Sequence, residues 1–289
     1  MQKILQIGCA KGIADTYGGE LISYTNEGKE YIWTGDPAFW NGHAPVLFPF
    51  VSALKDWKVK FGGKEYSLTT KHGFARKSEF ELVECTDTKI TFALTSSEKT
   101  KEQYPFDFRL LVAHEITEQG YTTTYTVCNT GTQPMLFCIG GHAGYCVDGS
   151  AEDYQLIFEQ EEDLDLYYTD AQSLFNESYR LAKRITGNTY DIVYDDFDVD
   201  AIILKAPKSH KVKLVKKSDG TGLEFDYTGF ENLTLWTPPK KHAPFFCLEP
   251  WNGLPAYTDE SGNFEDKPGH ITLEAGQEYS VSYSITVLK

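Results

Sequence analysis

Apolar side chains fall on every second position along residues 106–117, where Phe106, Phe108, Leu110, Val112, His114 and Ile116 share one face. That period-2 spacing predicts a strand with one buried side. Residues 121–129 follow after a turn at Gln119-Gly120, which makes this the longest predicted hairpin. Shorter hairpins are predicted for 20–25 with 29–33 around Asn26-Glu27-Gly28, and for 79–85 with 89–95. A third joins 57–61 to 64–68 through Gly62-Gly63, two positions that tolerate positive φ. Single strands are predicted at 4–9, 135–139, 154–158, 192–194, 199–204, 212–215, 223–227, 233–236, 245–248, 271–273 and 279–288.

Helical signals are few. One turn is predicted from Asp36-Pro37 to near Trp40, and a short helix over 97–103. Ala44-Pro45-Val46-Leu47-Phe48-Pro49-Phe50 reads as a buried, proline-bounded extended stretch, and the acidic residues 159–165 as a solvated loop. Many short strands with turn signals at regular spacing predict a sandwich or barrel. No internal repeat or low-complexity linker divides the chain. The expectation is one all-β domain over 1–289, a large antiparallel β-sandwich with only short helical turns.

Composition supports that class. Of 289 residues 41% are hydrophobic, and 18 Tyr, 18 Phe and 24 Gly stand against two Met, a mix of aromatics and turn formers that suits strands. A formal charge of −15 excludes the basic footprint that nucleic acid or an anionic membrane requires, but leaves room for a small neutral ligand such as a sugar. No apolar run is long enough to cross a bilayer, and residues 1–11 are too short and mixed for a signal peptide. The six cysteines form no C-x-x-C pair, so neither a zinc site nor a redox motif is indicated, and no metal is expected. Buried thiols in a reducing cytoplasm are the simpler reading, which makes the Asn176 and Asn232 N-x-S/T matches chance.

One carboxylate stands out. In Phe245-Phe246-Cys247-Leu248-Glu249-Pro250 the residues Phe245, Cys247 and Glu249 share a face, and Pro250, which cannot donate to a ladder, places Glu249 at the strand's end. Read locally, Glu249 is a cap for backbone N–H groups or a functional group. His72 and His142 have glycine neighbours, in Lys71-His72-Gly73-Phe74-Ala75-Arg76 and Ile139-Gly140-Gly141-His142-Ala143-Gly144, so a ligand can approach the backbone closely. His114 is a core histidine by its face, while His43, His210, His242 and His270 lie in polar or loop-like settings. Arg76, one of four arginines, would fix a hydroxyl, carboxylate or phosphate, or form an ordinary surface ion pair. Asp200 interrupts an apolar run, as a site residue or a strand end facing water. Trp251 offers a face for sugar C–H groups or simply packs at an edge. No G-x-S-x-G, P-loop, H-E-x-x-H or G-x-G-x-x-G motif is present.

Taken in order, Ala44–Phe50, Lys71–Arg76, Gly140-Gly141-His142, Val199-Asp200-Ala201-Ile202-Ile203 and Cys247-Leu248-Glu249-Pro250-Trp251-Asn252-Gly253-Leu254-Pro255 resemble the galactose mutarotase (aldose 1-epimerase) superfamily, most closely its LacX-like branch. The resemblance runs over nearly the whole chain. It implies Glu249 as catalytic base, His142 as general acid, and His72, Asp200 and Arg76 as contacts to sugar hydroxyls, with no cofactor. Two departures are visible. The arginine that often follows the L-F-P segment is absent from Phe50-Val51-Ser52-Ala53-Leu54-Lys55, leaving Lys55 as its only candidate replacement, and His142 is followed by Ala143 in place of proline. Both bear on sugar specificity more than on reaction type. Mutarotation needs a base at the C1 hydroxyl and an acid at the ring oxygen, and the expectation sets them on opposite sides of the ring. The implied protein is a cytoplasmic mutarotase for a free hexose, monomeric or homodimeric. The alternatives are a hexose-6-phosphate mutarotase, motivated by Arg76, and a non-catalytic carbohydrate-binding or sensing protein.

Overall fold

Phe48 and Phe108 lie near opposite ends of one hydrogen-bonded sheet, yet their rings are 5.1 Å apart. The sheet therefore doubles back on itself. In the computed structural model, which describes residues 1–289, fifteen strands belong to this antiparallel sheet. From one edge it runs through Val46–Leu47, Ile139–Gly141, Phe245–Asn252, Asn232–Trp236, Ile202–Leu204 and Tyr154–Thr169. It continues through Lys211–Lys216, Gly222–Asp226, Glu278–Leu288, Gly120–Asn129, Phe108–Thr117, Lys89–Thr95 and Glu81–Cys85. A four-stranded sheet, Gln2–Ile7 to Lys29–Glu30, lies apart from it. No helix is long and apolar enough to cross a membrane.

Face-to-face contact is closest at Gly141. A Cβ there would lie 2.9 Å from the Tyr283 ring and 3.0 Å from the Tyr125 hydroxyl, so only glycine lets this strand settle on the opposite layer. The aromatic surplus fills the space between layers: Phe48, Phe50, Phe61, Phe74, Tyr104 and Phe108 form one set of edge-to-face contacts. Each buried ring of this size contributes about 1.5–3 kcal/mol by leaving water. His114 is the core histidine its face predicts. Its Nε2–H donates to Gly19 O at 2.9 Å and its Nδ1 meets the Thr123 hydroxyl at 3.0 Å, while burial pushes it down to about 4.

Three expectations change. Residues 159–165 are not a loop. They continue the strand Tyr154–Thr169, paired with Phe175–Asp191, and Leu164 and Leu166 point inward between the outward Asp163 and Asp165. The acidic residues masked a period-2 pattern, because Arg184 and Arg180 neutralise them across the hairpin. Residues 192–194 are not a strand but lead into the short 3-10 turn Tyr194–Phe197. The strand at 199–204 is only Ile202–Leu204, which leaves Asp200 on the approach to it.

Glu162 shows what the masked pattern hides. It falls in phase with Leu164 and Leu166, is buried, and its carboxylate accepts the N–H groups of Ser209 at 2.7 Å and Lys208 at 3.2 Å. Glu162→Ala leaves two buried donors unpaired and is expected to cost about 2–4 kcal/mol of unfolding free energy. Urea denaturation checks this, since a solvated-loop glutamate would cost less than about 0.5 kcal/mol.

Candidate active site

The strand Phe245–Asn252 is buried along its whole length. It runs through Pro250 instead of ending there, because Leu233 still opposes Pro250 and Asn232 opposes Trp251. On its other side the partner strand is interrupted. Ile139–Gly141 and Ala143–Cys146 both pair with it, while His142 between them turns its N–H to Pro45 O at 3.1 Å. A residue without an N–H is tolerated best where the facing ladder is broken.

The pairs Gly140–Trp251 and Ala143–Leu248 place His142 opposite Glu249. Their side chains meet, with His142 Nε2 3.4 Å from Glu249 Oε1. Glu249 is 1% exposed, and its Oε2 and the Nδ1 of His142 have no hydrogen-bond partner. The two groups are thus neighbours on one wall, not on opposite sides of a ring as the sequence suggested. Rings hold the imidazole in place. It stacks on Trp40 at 4.9 Å and meets Trp236 and His72 edge-on at 5.4 and 5.5 Å. Behind them Trp33 stacks on Phe245 at 4.4 Å.

Burial governs the protonation of this pair. It pushes the Glu249 carboxyl well above 4.5, with Asp200 adding to the rise and Trp251 and Arg76 opposing it. The Trp251 indole N–H shares the carboxyl's face but closes no hydrogen bond of normal geometry. Burial pushes His142 down to about 3, and the positive charges of Arg76 and Lys71 act in the same direction. The pair therefore holds one proton between Oε1 and Nε2 over a wide pH range.

His72 sits in the left-handed region (φ 65°) before Gly73 (φ 70°), where a Cβ would lie 2.2 Å from Phe48 O. Its backbone N–H donates to Ser52 O at 2.7 Å, and its Nδ1 accepts from the Ser52 N–H at 3.0 Å. Nδ1 is therefore unprotonated and Nε2 carries the hydrogen, a neutral donor that burial keeps well below 6.5. Arg76 forms no salt bridge, so the surface-pair reading does not hold. It lines the cleft, with the buried Glu20, pushed up to about 7 by burial, among the charges that favour its cationic form. Asp200 lies 3.8 Å from Lys71 across the rim.

These residues enclose a cleft of about 400 Å³ that brings together Glu249, His142, His72, Arg76, Asp200 and Trp251. Trp40, Trp236, Trp57, Ser52 and Lys71 also line it, and sequence reasoning did not single them out. Scarcity was the available signal, since four of the five tryptophans face this one cleft. Lys55 does not replace the absent arginine. It faces a separate depression with Lys58, Lys60 and Glu65. The one grouping able to hold a metal ion is His142, Cys247 and Glu249, whose ligand atoms lie within 4.8 Å of one another. Burial and the Glu249 charge keep the Cys247 thiol protonated, which weakens it as a ligand.

Comparison with known proteins extends this picture. The chain is 34% identical over 285 residues to the plasmid LacX protein of Lactococcus lactis subsp. lactis, covering 94% of this chain and 95% of that one. Its fold matches the galactose mutarotase related enzyme of Lactobacillus acidophilus with a TM-score of 0.91 at 26% identity, over 100% of this chain and 98% of that one. It also matches a galactose mutarotase-like protein of Lactobacillus casei ATCC 334 with a TM-score of 0.90 at 28% identity, over 100% of both chains. The family model for aldose 1-epimerase matches residues 13–286, and the chain belongs to that family.

Proposed function

We propose that this chain, as one domain over 1–289, is a mutarotase that interconverts the α and β anomers of a free hexose. The buried His142–Glu249 contact of 3.4 Å on the cleft floor, unpartnered on its outer atoms, carries the reading. The C1 hydroxyl oxygen and the ring oxygen are both bonded to C1, so two neighbouring groups can serve both. Glu249 takes the proton from the C1 hydroxyl while His142 Nε2–H gives one to the ring oxygen, and the bond between C1 and the ring oxygen breaks. The open-chain aldehyde forms, rotates about C1–C2 and closes in reverse on the other face. Each step returns the pair to a single shared proton, so no redox partner is required. Neutral His72 Nε2–H, Arg76 and Asp200 supply hydrogen bonds to hydroxyls, and Trp251 supplies an apolar face.

Polarimetry of freshly dissolved α-D-glucose and α-D-galactose tests the proposal. Equilibration faster than buffer alone, and lost in Glu249→Gln, is the expected result. Binding without rate enhancement would instead identify a sugar-sensing protein. A second reading, a hexose 6-phosphate as substrate, is favoured by one observation: Arg76 has no ion-pair partner and shares the cleft wall with Lys71. Competition between hexose and hexose 6-phosphate decides between them.

The protonation of the pair gives a pH prediction. Activity requires one shared proton. A second proton, which must enter His142, blocks the base, and loss of the first removes the acid. With His142 pushed down to about 3, the acid limb of kcat/KM is expected near pH 3, with no break at the ordinary histidine value of 6.5. The alkaline limb is set by the shared proton, which burial retains above the ordinary carboxyl range. A break between pH 6 and 7 in the free-enzyme profile would mean that His142 titrates as an exposed imidazole.

A further inference from the structure

We propose that the mouth of the cleft is a second sugar-ring subsite built on Trp57, so that the enzyme accepts reducing sugars substituted at O4 or O6. The proposal rests on the sugar reading of the same cleft. Its first support is depth. Glu249 and Trp251 on the floor are 1% and 2% exposed, whereas Trp57, which lines the same cleft, is 44% exposed. A pyranose whose C1 meets Glu249 and His142 directs the opposite side of its ring, C4, and the arm at C6 toward the mouth. The cleft of about 400 Å³ is larger than one such ring fills.

The second support is the backbone that presents the indole. Asp56 and Trp57 both lie in the left-handed region, with φ of 53° and 58°, although neither is glycine. L-residues adopt that conformation at a cost, and runs of it are rare outside functional loops. Two hydrogen bonds hold it, from Trp57 N–H to Leu54 O at 3.1 Å and from Leu68 N–H to Trp57 O at 2.8 Å. The result is a rigidly held indole left in water beside the hydroxyls of Thr69 and Thr70. An indole face with neighbouring hydroxyls suits the C–H surface and hydroxyl edge of a neutral second ring. Two of the remaining tryptophans show that this exposure is unusual here: Trp33 is 5% exposed and Trp251 2%.

The test uses the hexose that turns over fastest in the polarimetric panel and its 4-O- and 6-O-glucosyl derivatives, which share its reducing ring. KM and kcat by polarimetry, and Kd by calorimetry, are compared for the full-length protein, Trp57→Ala and Trp57→Phe. Trp57→Ala is expected to raise KM and Kd for at least one disaccharide about five- to tenfold relative to the hexose, with Trp57→Phe restoring most of the difference. An equal change for hexose and disaccharides overturns the subsite, as does failure of the unaltered protein to bind either disaccharide. Either result leaves the mutarotase reading standing if the hexose still turns over. Sugar binding without turnover overturns the reaction and still judges the subsite through Kd, and no binding of any sugar overturns both.

Discussion

Glu249→Gln is expected to lower kcat for mutarotation by about 10²–10⁴-fold, the range that removal of a positioned general base produces. The substitution keeps the size of the side chain, so the cleft retains its shape and KM should move less than about threefold. The amide cannot accept the C1 hydroxyl proton, which leaves His142 without the group that completes each proton exchange. Stability supplies a separate readout. Burial raises the folded carboxyl well above its ordinary 4.5, so the ionised form is disfavoured by folding and subtracts stability above pH 4.5. Glu249→Gln should therefore unfold at the same temperature or a higher one at neutral pH. A variant that loses activity and also melts early would point to a structural role, and one that keeps more than about a tenth of kcat would exclude Glu249 as the base.

His142→Asn is expected to be about as severe, again 10²–10⁴-fold in kcat, because the ring oxygen then leaves C1 without a proton. Unlike Glu249→Gln it should also cost stability, about 1–2 kcal/mol, since the imidazole fills the space between Trp40 and Trp236. The two substitutions remove halves of one proton-transfer unit and should not multiply. The double variant is expected within about tenfold of the worse single one, as for other groups that act as a unit. A fully multiplicative loss would mean that Glu249 and His142 work in separate steps. In His142→Asn the acid limb near pH 3 should also disappear from whatever activity remains, because the group responsible for it is gone.

Much of this was legible along the chain because it rests on local periodicity. The alternation at residues 106–117 is the strand Phe108–Thr117, and the turn at Gln119-Gly120 joins it to Gly120–Asn129. Where charge lay over the pattern, at 159–165, alternation was present but its outward positions were all acidic, and their partners Arg180 and Arg184 lie across a hairpin that only pairing reveals. The strand at 245–248 was stopped too early at Pro250 because the rule for proline depends on which neighbour the missing N–H would face. That neighbour, the break at His142, is far away in sequence.

By itself the sequence determined the all-β class, most of the strands, and the identities of Glu249, His142, His72, Arg76, Asp200 and Trp251, since these follow from residue type, spacing and order. The tertiary structure decided how they meet. Strand register put His142 beside Glu249, and the doubled-back sheet made room for it with Gly141. Tryptophans from separate segments closed around the pair, and burial split the two groups' proton affinities in opposite directions. Contacts between segments far apart in the chain and the loss of water around them are properties of the folded arrangement, and no local pattern encodes them.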